Sequence, residues 1–473
     1  MNLAEFRKQA HKMVDWMADY LEKVESFPVK SQAEPRQIFN QLPATPPLAG
    51  ESMETIFEDF QRIVLPGITH WQSPGFFAYF QANSSPPSIL AEMLTATLAA
   101  QCMIWDTSPA AAELEERMMY WLRDMCGLPE SWTGAIQSTA SEATLCAMLS
   151  AREKMTDFRI NESGFDVTNR IRVYCSSETH SSVEKGAKIA GFGRKNVVKI
   201  PVDANLAMRP DALLEAINAD KAAGYEPGSV IASLGSTSTH AIDPVKEIGE
   251  ICESLGVWFH IDAAHAGTAL ILPEQRWMIE GIEKADSLVF NPHKWMLTNF
   301  DCTAYFVKDK ETLIRTFEIL PEYLKTRHTS QTHNYRDWGI PLGRRFRALK
   351  LWFVIRSYGL EGLKEKIRRD ISLTQNLAKE IEKTPDFELF LPPPLNLVCF
   401  RFCPEGYGSE EEINELNARI VNQLNASGDI YLTHTKINGK YLLRLSIGQT
   451  TMTEEHVSRA WELIRKTARS FYV

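Results

Sequence analysis

The chain has few cysteines and none in a metal-binding pattern. Its eight thiols are scattered over 473 residues, only Cys399 and Cys403 lie close together, and there is no CxxC pair or Cys/His cluster. This excludes a zinc framework and points to buried free thiols in a reducing compartment. No apolar run approaches the ~20 residues that a membrane-spanning helix needs. Met1-Asn2-Leu3-Ala4-Glu5-Phe6-Arg7 lacks the apolar core of a signal peptide. The expectation is therefore a cytoplasmic protein with no membrane partner. An excess of positive charge is also missing: the net charge is −9, with no basic stripe, so no nucleic-acid partner is expected. Internal repeats and low-complexity segments are absent.

What is present begins with an amphipathic helix. Phe6, Ala10, Met13, Val14, Met17 and Leu21 recur at helical spacing, and a proline-rich connection follows, through Pro28, Pro35, Pro43, Pro46 and Pro47. This reads as an arm that packs on another body, such as a second subunit. From about residue 133 to 310, short apolar runs alternate with helical stretches. Ile171–Cys175, Val197–Ile200, Val230–Leu234, Val257–Ile261 and Ser287–Phe290 are the candidate strands. The pattern predicts an α/β fold, a mainly parallel sheet with helices on both faces. A long helix begins after Gly343. The last part reads as α+β, with strands at Phe387–Leu391, Leu397–Phe402, Ile430–His434 and Tyr441–Ser446 and a final helix after Thr453.

Ligands of open α/β sheets sit beyond the carboxyl ends of the strands. Four of these strand ends carry polar residues: Ser176–Ser182 with His180, Gly235–Thr239 with Thr237, Asp262–Gly267, and Asn291-Pro292-His293-Lys294-Trp295. Taken alone, such an Asp is usually a helix cap, such a His structural and such a Lys solvated; together they suit a cofactor with an aldehyde, a ring nitrogen and a phosphate. The lysine amine can form an imine, and the carboxylate can keep a pyridine nitrogen protonated. A hydroxyl-rich helix start can bind the phosphate. Gln137-Ser138-Thr139-Ala140-Ser141-Glu142 opens such a helix, although Thr139 and Glu142 also fit a capping box.

At these residues the chain resembles the group II pyridoxal-phosphate (PLP) decarboxylases, especially the aromatic L-amino-acid decarboxylases. The matching stretches are THWQSPGFFAYF (69–80), SPAAAELEERMMYWL (108–122), STASEAT (138–144), SSETHSSVEKGA (176–187), HIDAAHAG (260–267), NPHKWMLTNFDC (291–302) and DWGIPLGRRFRALKLWF (337–353). The resemblance covers nearly the whole chain. It implies PLP fold type I with a seven-stranded type of sheet, and a division into an N-terminal dimerising arm (1–80), a large PLP-binding domain (81–350) and a small α+β domain (351–473). It also implies a homodimer with intertwined arms. Lys294 is expected to hold PLP as a Schiff base, Asp262 to pair with its ring nitrogen, and His180 to stack on the ring. Thr139, Ala140, Ser141 and Asn291 are expected around the phosphate, with Thr237 and His293 completing the shell. Tyr323 matches the family's proton donor, followed by a polar loop to Asn334.

The expected reaction is decarboxylation of an aromatic L-amino acid, whether tryptophan, phenylalanine, tyrosine or dihydroxyphenylalanine, to the arylalkylamine. The alternatives are an oxygen-dependent aldehyde synthase on the same scaffold and a decarboxylase of another amino acid such as histidine. Tyr323 and His180, often replaced in aldehyde-forming relatives, favour decarboxylation. Trp71, Tyr79, Phe80, Met103 and Gly343 are the expected substrate contacts, and Gly343 leaves room for a bulky ring. Gln72 and Ala82 depart from the catechol-binding pattern of animal relatives. Arg444 is a further candidate, as a carboxylate clamp or a plain strand residue.

Overall fold

The computed structural model describes residues 1–166, 170–319 and 332–472. Two compact units result, one of residues 82–371 and the other of residues 1–81 together with 372–473. The N-terminal segment is thus part of the same unit as the C-terminal sheet, and the second division falls after residue 371, beyond the expected 350.

Residues 82–371 hold a seven-stranded sheet. Its strands are β1 (Thr133–Gln137), β2 (Ile171–Ser176), β3 (Val197–Ile200), β4 (Glu226–Ser233), β5 (Trp258–Asp262), β6 (Ser287–Phe290) and β7 (Thr303–Val307), in the spatial order β1-β7-β6-β5-β4-β2-β3. Strands β2 to β6 pair in parallel, whereas β7 runs antiparallel to both β6 and β1. Strands covered on both faces become continuous apolar runs, which is why β2, β5 and β6 are legible as such. Side chains alternate across β2. Ile171, Val173 and Cys175 pack with Leu145 and Met148 of helix Ala140–Met155 and with Val183 and Ala187 of helix Ser182–Ile189. Tyr174 points the other way, its hydroxyl donating to Asp220 of helix Pro210–Ala222 at 3.0 Å. Helices therefore cover both faces, as the alternation predicts.

Strands β1 and β7 escaped the sequence reading. β1 is Thr-Gly-Ala-Ile-Gln, too small and polar to register as a strand. Its Gly134 is required by close approach, because a Cβ there would collide with the Tyr305 carbonyl of β7.

His260 of β5 is fully buried, with Nδ1 2.8 Å from the Ser287 hydroxyl and Nε2 3.3 Å from that of Thr144. Burial pushes its pKa down to about 3, below the ~6.5 of an unfolded imidazole. The unfolded chain thus takes up a proton that the folded chain refuses, so this contribution to stability is complete above ~6.5 and lost as pH falls toward 3. His260→Gln is expected to lose less stability than the wild type between about pH 7 and about pH 4, by on the order of 3 kcal/mol. Urea titrations of the apoprotein at both pH values measure this.

The other unit carries β8 (Phe387–Leu389), β9 (Leu397–Phe402), β10 (Thr433–Ile437) and β11 (Lys440–Ser446) in an antiparallel sheet ordered β10-β11-β9-β8. Helices Glu410–Ser427 and Glu454–Ser470 pack on it through Leu416, Ile420, Leu424, Val457, Trp461 and Ile464. The N-terminal segment joins this unit through backbone bonds, Val29 N–H to Gly428 and Phe77 N–H to Tyr431, and through Glu25, which pairs with His456 and Arg459. Helix Leu3–Glu22 forms as expected, capped by Asn2. Its stripe is only partly covered: Leu3, Phe6 and Val14 stay exposed. All eight cysteines are free and seven are buried, as their scatter predicted.

Candidate functional site

β1 and β6 both oppose β7, so they run in the same direction, and the carboxyl ends of β1, β2, β5 and β6 share one edge of the sheet. Thr139, His180, Asp262 and Lys294 lie on the segments that leave those four ends.

Asp262 is the last residue of β5, and its Oδ1 accepts the Ala264 N–H at 3.0 Å. Lys294 lies on the short helix Pro292–Trp295 after β6. The two groups sense each other. Burial pushes the Asp262 carboxyl up while Lys294 pulls it down, and burial pushes the Lys294 ammonium down while Asp262 holds it up. His180 is lowered chiefly by burial, raised by Asp262 and lowered further by Lys294. The structure thus brings together the three residues that the sequence singled out first. His180 Nδ1 accepts the Ser182 backbone N–H at 3.2 Å and lies 2.8 Å from the Ser182 hydroxyl. A backbone N–H can only donate, so the neutral ring carries its proton on Nε2.

Thr139 is the N-cap of helix Ala140–Met155, its hydroxyl accepting the Glu142 N–H at 3.3 Å. The Glu142 carboxylate folds back on the N–H of Ser138 rather than of Thr139, a cap shifted by one residue from the expected box. First-turn N–H groups have no partner inside a helix and carry the positive end of its dipole. The starts at Ala140 and Ser141 therefore suit an anion. Ser141 and His180 line one open surface depression. Asn291 is fixed by its Oδ1, 2.8 Å from the Thr303 hydroxyl, which also reaches the Ser138 carbonyl at 3.1 Å. This bond leaves the Asn291 amide N–H groups as donors beside the same helix start.

His293 is placed differently from the ring of polar residues expected. Its Nδ1 accepts the Cys302 N–H at 3.0 Å, its backbone N–H donates to the Cys302 carbonyl, and burial lowers its pKa to about 3. It pins the turn between Lys294 and β7. Thr237 is exposed in the turn after β4. Tyr323 lies outside the described residues.

The candidate substrate residues fall into two groups. In the unit of residues 1–81 and 372–473, Trp71 stacks on Phe76 and Tyr79, and the Tyr79 hydroxyl meets that of Tyr431 at 3.2 Å. Phe80 is buried beneath Arg444, whose guanidinium lies 5.6 Å from its ring and donates to Thr433 at 2.7 Å. Arg444 is thus engaged within its own sheet, which fits the strand-residue alternative. Gln81 is buried and bonds Phe76 and Ser446. In the other unit, the Met103 carbonyl accepts the Arg336 N–H at 2.9 Å, and Gly343 adjoins Arg344, whose fork grips the buried Glu115. A Cβ on Gly343 would lie 3.3 Å from the Gln101 amide nitrogen.

A buried amine beside a buried carboxylate, an imidazole, and an open helix start with an amide donor form a set that fits PLP group by group. Among the described residues no cluster of three His, Cys, Asp or Glu side chains could hold a metal ion, and no helix is long and apolar enough to cross a membrane. Residues missed in the sequence include Asn83, whose amide donates to the Lys294 carbonyl, and Asp370, which accepts the Trp295 indole N–H.

Comparison with known proteins shows the family. The family described as pyridoxal-dependent decarboxylase conserved domain matches residues 35–403. A tryptophan decarboxylase of Camptotheca acuminata is 42% identical over 98% of this chain and 94% of its own length. A phenylacetaldehyde synthase of Arabidopsis thaliana is 41% identical over 99% and 95%. The crystal structure of Oryza sativa TDC with PLP and tryptamine superposes with a TM-score of 0.96 at 36% identity, covering 100% of this chain and 99% of that one.

Proposed function

Because this chain belongs to the family of pyridoxal-dependent decarboxylases, we propose that it removes the carboxylate of aromatic L-amino acids as CO2 and releases the arylalkylamine, with PLP held covalently on Lys294. The observation that carries the site assignment is that Lys294, the buried Asp262 and His180 lie at one sheet edge within electrostatic reach of one another.

When bound, the cofactor supplies an electron sink for the pair left by CO2. The rest falls to the chain. The helix start at Thr139, Ala140 and Ser141, with Asn291, binds the phosphate. Asp262 stabilises positive charge on the ring nitrogen from a site where water cannot screen it. Lys294, its basicity lowered by burial, would hold the cofactor and could take or return a proton. His180 presents Nε2–H as a donor for the substrate carboxylate. Tyr323 delivers the proton to the substrate carbon. Thr237 and His293 support the shell, His293 by fixing the Lys294 turn. Trp71, Tyr79, Phe80 and Met103 remain the candidates for apolar contact with the substrate ring.

The uncovered apolar stripe of helix Leu3–Glu22 supports a homodimer joined through its arms. Free, buried thiols support a reducing, cytoplasmic setting.

The test is product analysis of the PLP-loaded protein given an equimolar mixture of tryptophan, tyrosine, phenylalanine, dihydroxyphenylalanine, histidine and glutamate. An arylalkylamine with CO2 supports the reading; aldehyde with peroxide and ammonia, or histamine alone, overturns it. Gly343→Ser is expected to lower kcat/KM for tryptophan relative to tyrosine by roughly tenfold, the scale of one extra small group in an apolar pocket.

A further inference from the structure

Lys294 lies on a helix only four residues long, Pro292–Trp295. So short a helix cannot fix its own geometry, since its carbonyls lack partners within it. Side chains from elsewhere supply them. The Asn83 amide, 1% exposed, donates to the carbonyl of Lys294 itself at 2.6 Å. Nearby, the Ser85 hydroxyl donates to the Leu297 carbonyl at 2.7 Å. On the other flank, the Trp295 indole N–H donates to Oδ2 of Asp370 at 2.9 Å, and Oδ1 of Asp370 takes the Lys366 ammonium at 2.6 Å. The Trp295 ring lies flat on His265, 5.0 Å between centroids at 7°, in the segment that follows Asp262.

Asp370 and Lys366 are both buried, and no step of the proposed reaction uses them. A buried ion pair is a weak source of stability, because desolvation offsets most of its attraction. What this pair does achieve is to hold one carboxylate oxygen fixed against the indole next to Lys294.

We propose that Asn83 and the Asp370–Lys366 pair are positioning residues that lock the Lys294 helix at the rotation where its amine faces Asp262. This rests on Lys294 being the cofactor anchor. A misplacement of about 1 Å in a reacting group can cost about a hundredfold in rate, so the helix must not rock.

The experiment compares the wild type with Asn83→Ala and Trp295→Phe; the latter keeps a ring against His265 and removes only the N–H. PLP is titrated into each apoprotein, the visible absorption of the bound cofactor is followed against pH, and kcat and KM are separated. Each variant is expected to weaken PLP binding by roughly tenfold, the scale of one lost buried hydrogen bond. Each should also shift the pH at which the absorption changes and lower kcat more than KM. Asn83→Ser, which keeps a donor, should recover part of each loss. A cofactor affinity and absorption titration equal to wild type in both variants, with only the melting temperature of the apoprotein lowered, would overturn the proposal. Should Asn83→Ala fail to fold, Trp295→Phe decides alone. Borohydride reduction and peptide mapping of the wild type separate the two layers: a pyridoxyl group found elsewhere than Lys294 overturns the anchor assignment itself.

Discussion

Lys294→Ala is expected to lower kcat by about 10⁴-fold or more, the upper end of what one positioned proton-transfer group contributes, because under the proposed function this side chain also anchors the cofactor. The amine is buried beside Asp262, which holds up a pKa that burial pulls down. Such an amine is more readily neutral, and so more nucleophilic, than a solvated lysine. Removing it leaves the helix start at Thr139, Ala140 and Ser141 intact, so PLP should still bind through its phosphate. Borohydride should then fail to fix any cofactor at position 294. Steady-state assays with peptide mapping check both parts, and activity within tenfold of wild type would refute the assignment.

The second large effect is expected at Asp262. Asp262→Asn keeps the shape of the side chain and an oxygen for the Ala264 N–H but removes the charge. Taking away one partner of a buried charged contact costs about 3–5 kcal/mol, which as a barrier is roughly 10²–10⁴-fold in kcat. The change should fall on kcat more than on KM, because positive charge on the ring matters most as CO2 departs. A second signature follows from His180. Asp262 raises the pKa of that ring while burial and Lys294 lower it, so the loss of Asp262 should move the acid limb of the kcat/KM profile to lower pH. A variant with full activity, or an unmoved acid limb, would place Asp262 outside the site.

Much of the fold, and the gathering of the central candidate residues at one sheet edge, was legible in the sequence, for local reasons. Ser287–Phe290 is a run of residues buried on both faces, bounded by a polar segment, and it is a strand with those limits. His180, Asp262 and Lys294 each follow such a run, so a period count and the strand-end rule suffice to gather them. What stayed illegible depends on distant partners. Nothing in Thr133–Gln137 marks a strand until β7 lies against it, because Gly134 is there for the Tyr305 carbonyl. Asn83 reads as a loop residue until it is seen on the Lys294 carbonyl. Lys366 and Asp370, at i and i+4, read as a solvated helix pair until their burial is known. The long helix Arg347–Glu382 looks continuous in its apolar spacing, yet Gly359 leaves helical geometry at φ 67°, a conformation that favours glycine. The division after residue 371 falls within that element and leaves no mark in composition.

The place of β7 in the sheet bears on how the chain comes to be built. Among the described residues β1 lies at the edge with β7 as its strand partner, and β7 is made some 165 residues later and must slip between β1 and β6. Until Thr303–Val307 has left the ribosome, β1 lacks the partner it has among the described residues, and the sheet does not yet fix the helix start at Thr139 relative to Lys294. A nascent chain that ends at Phe290 would hold the acidic group, the imidazole and the hydroxyl turn, yet no assembled place for the cofactor. Pairings this remote in sequence are slow to form. On the proposed assignment, the place for the cofactor is complete only once this five-residue strand is in the sheet.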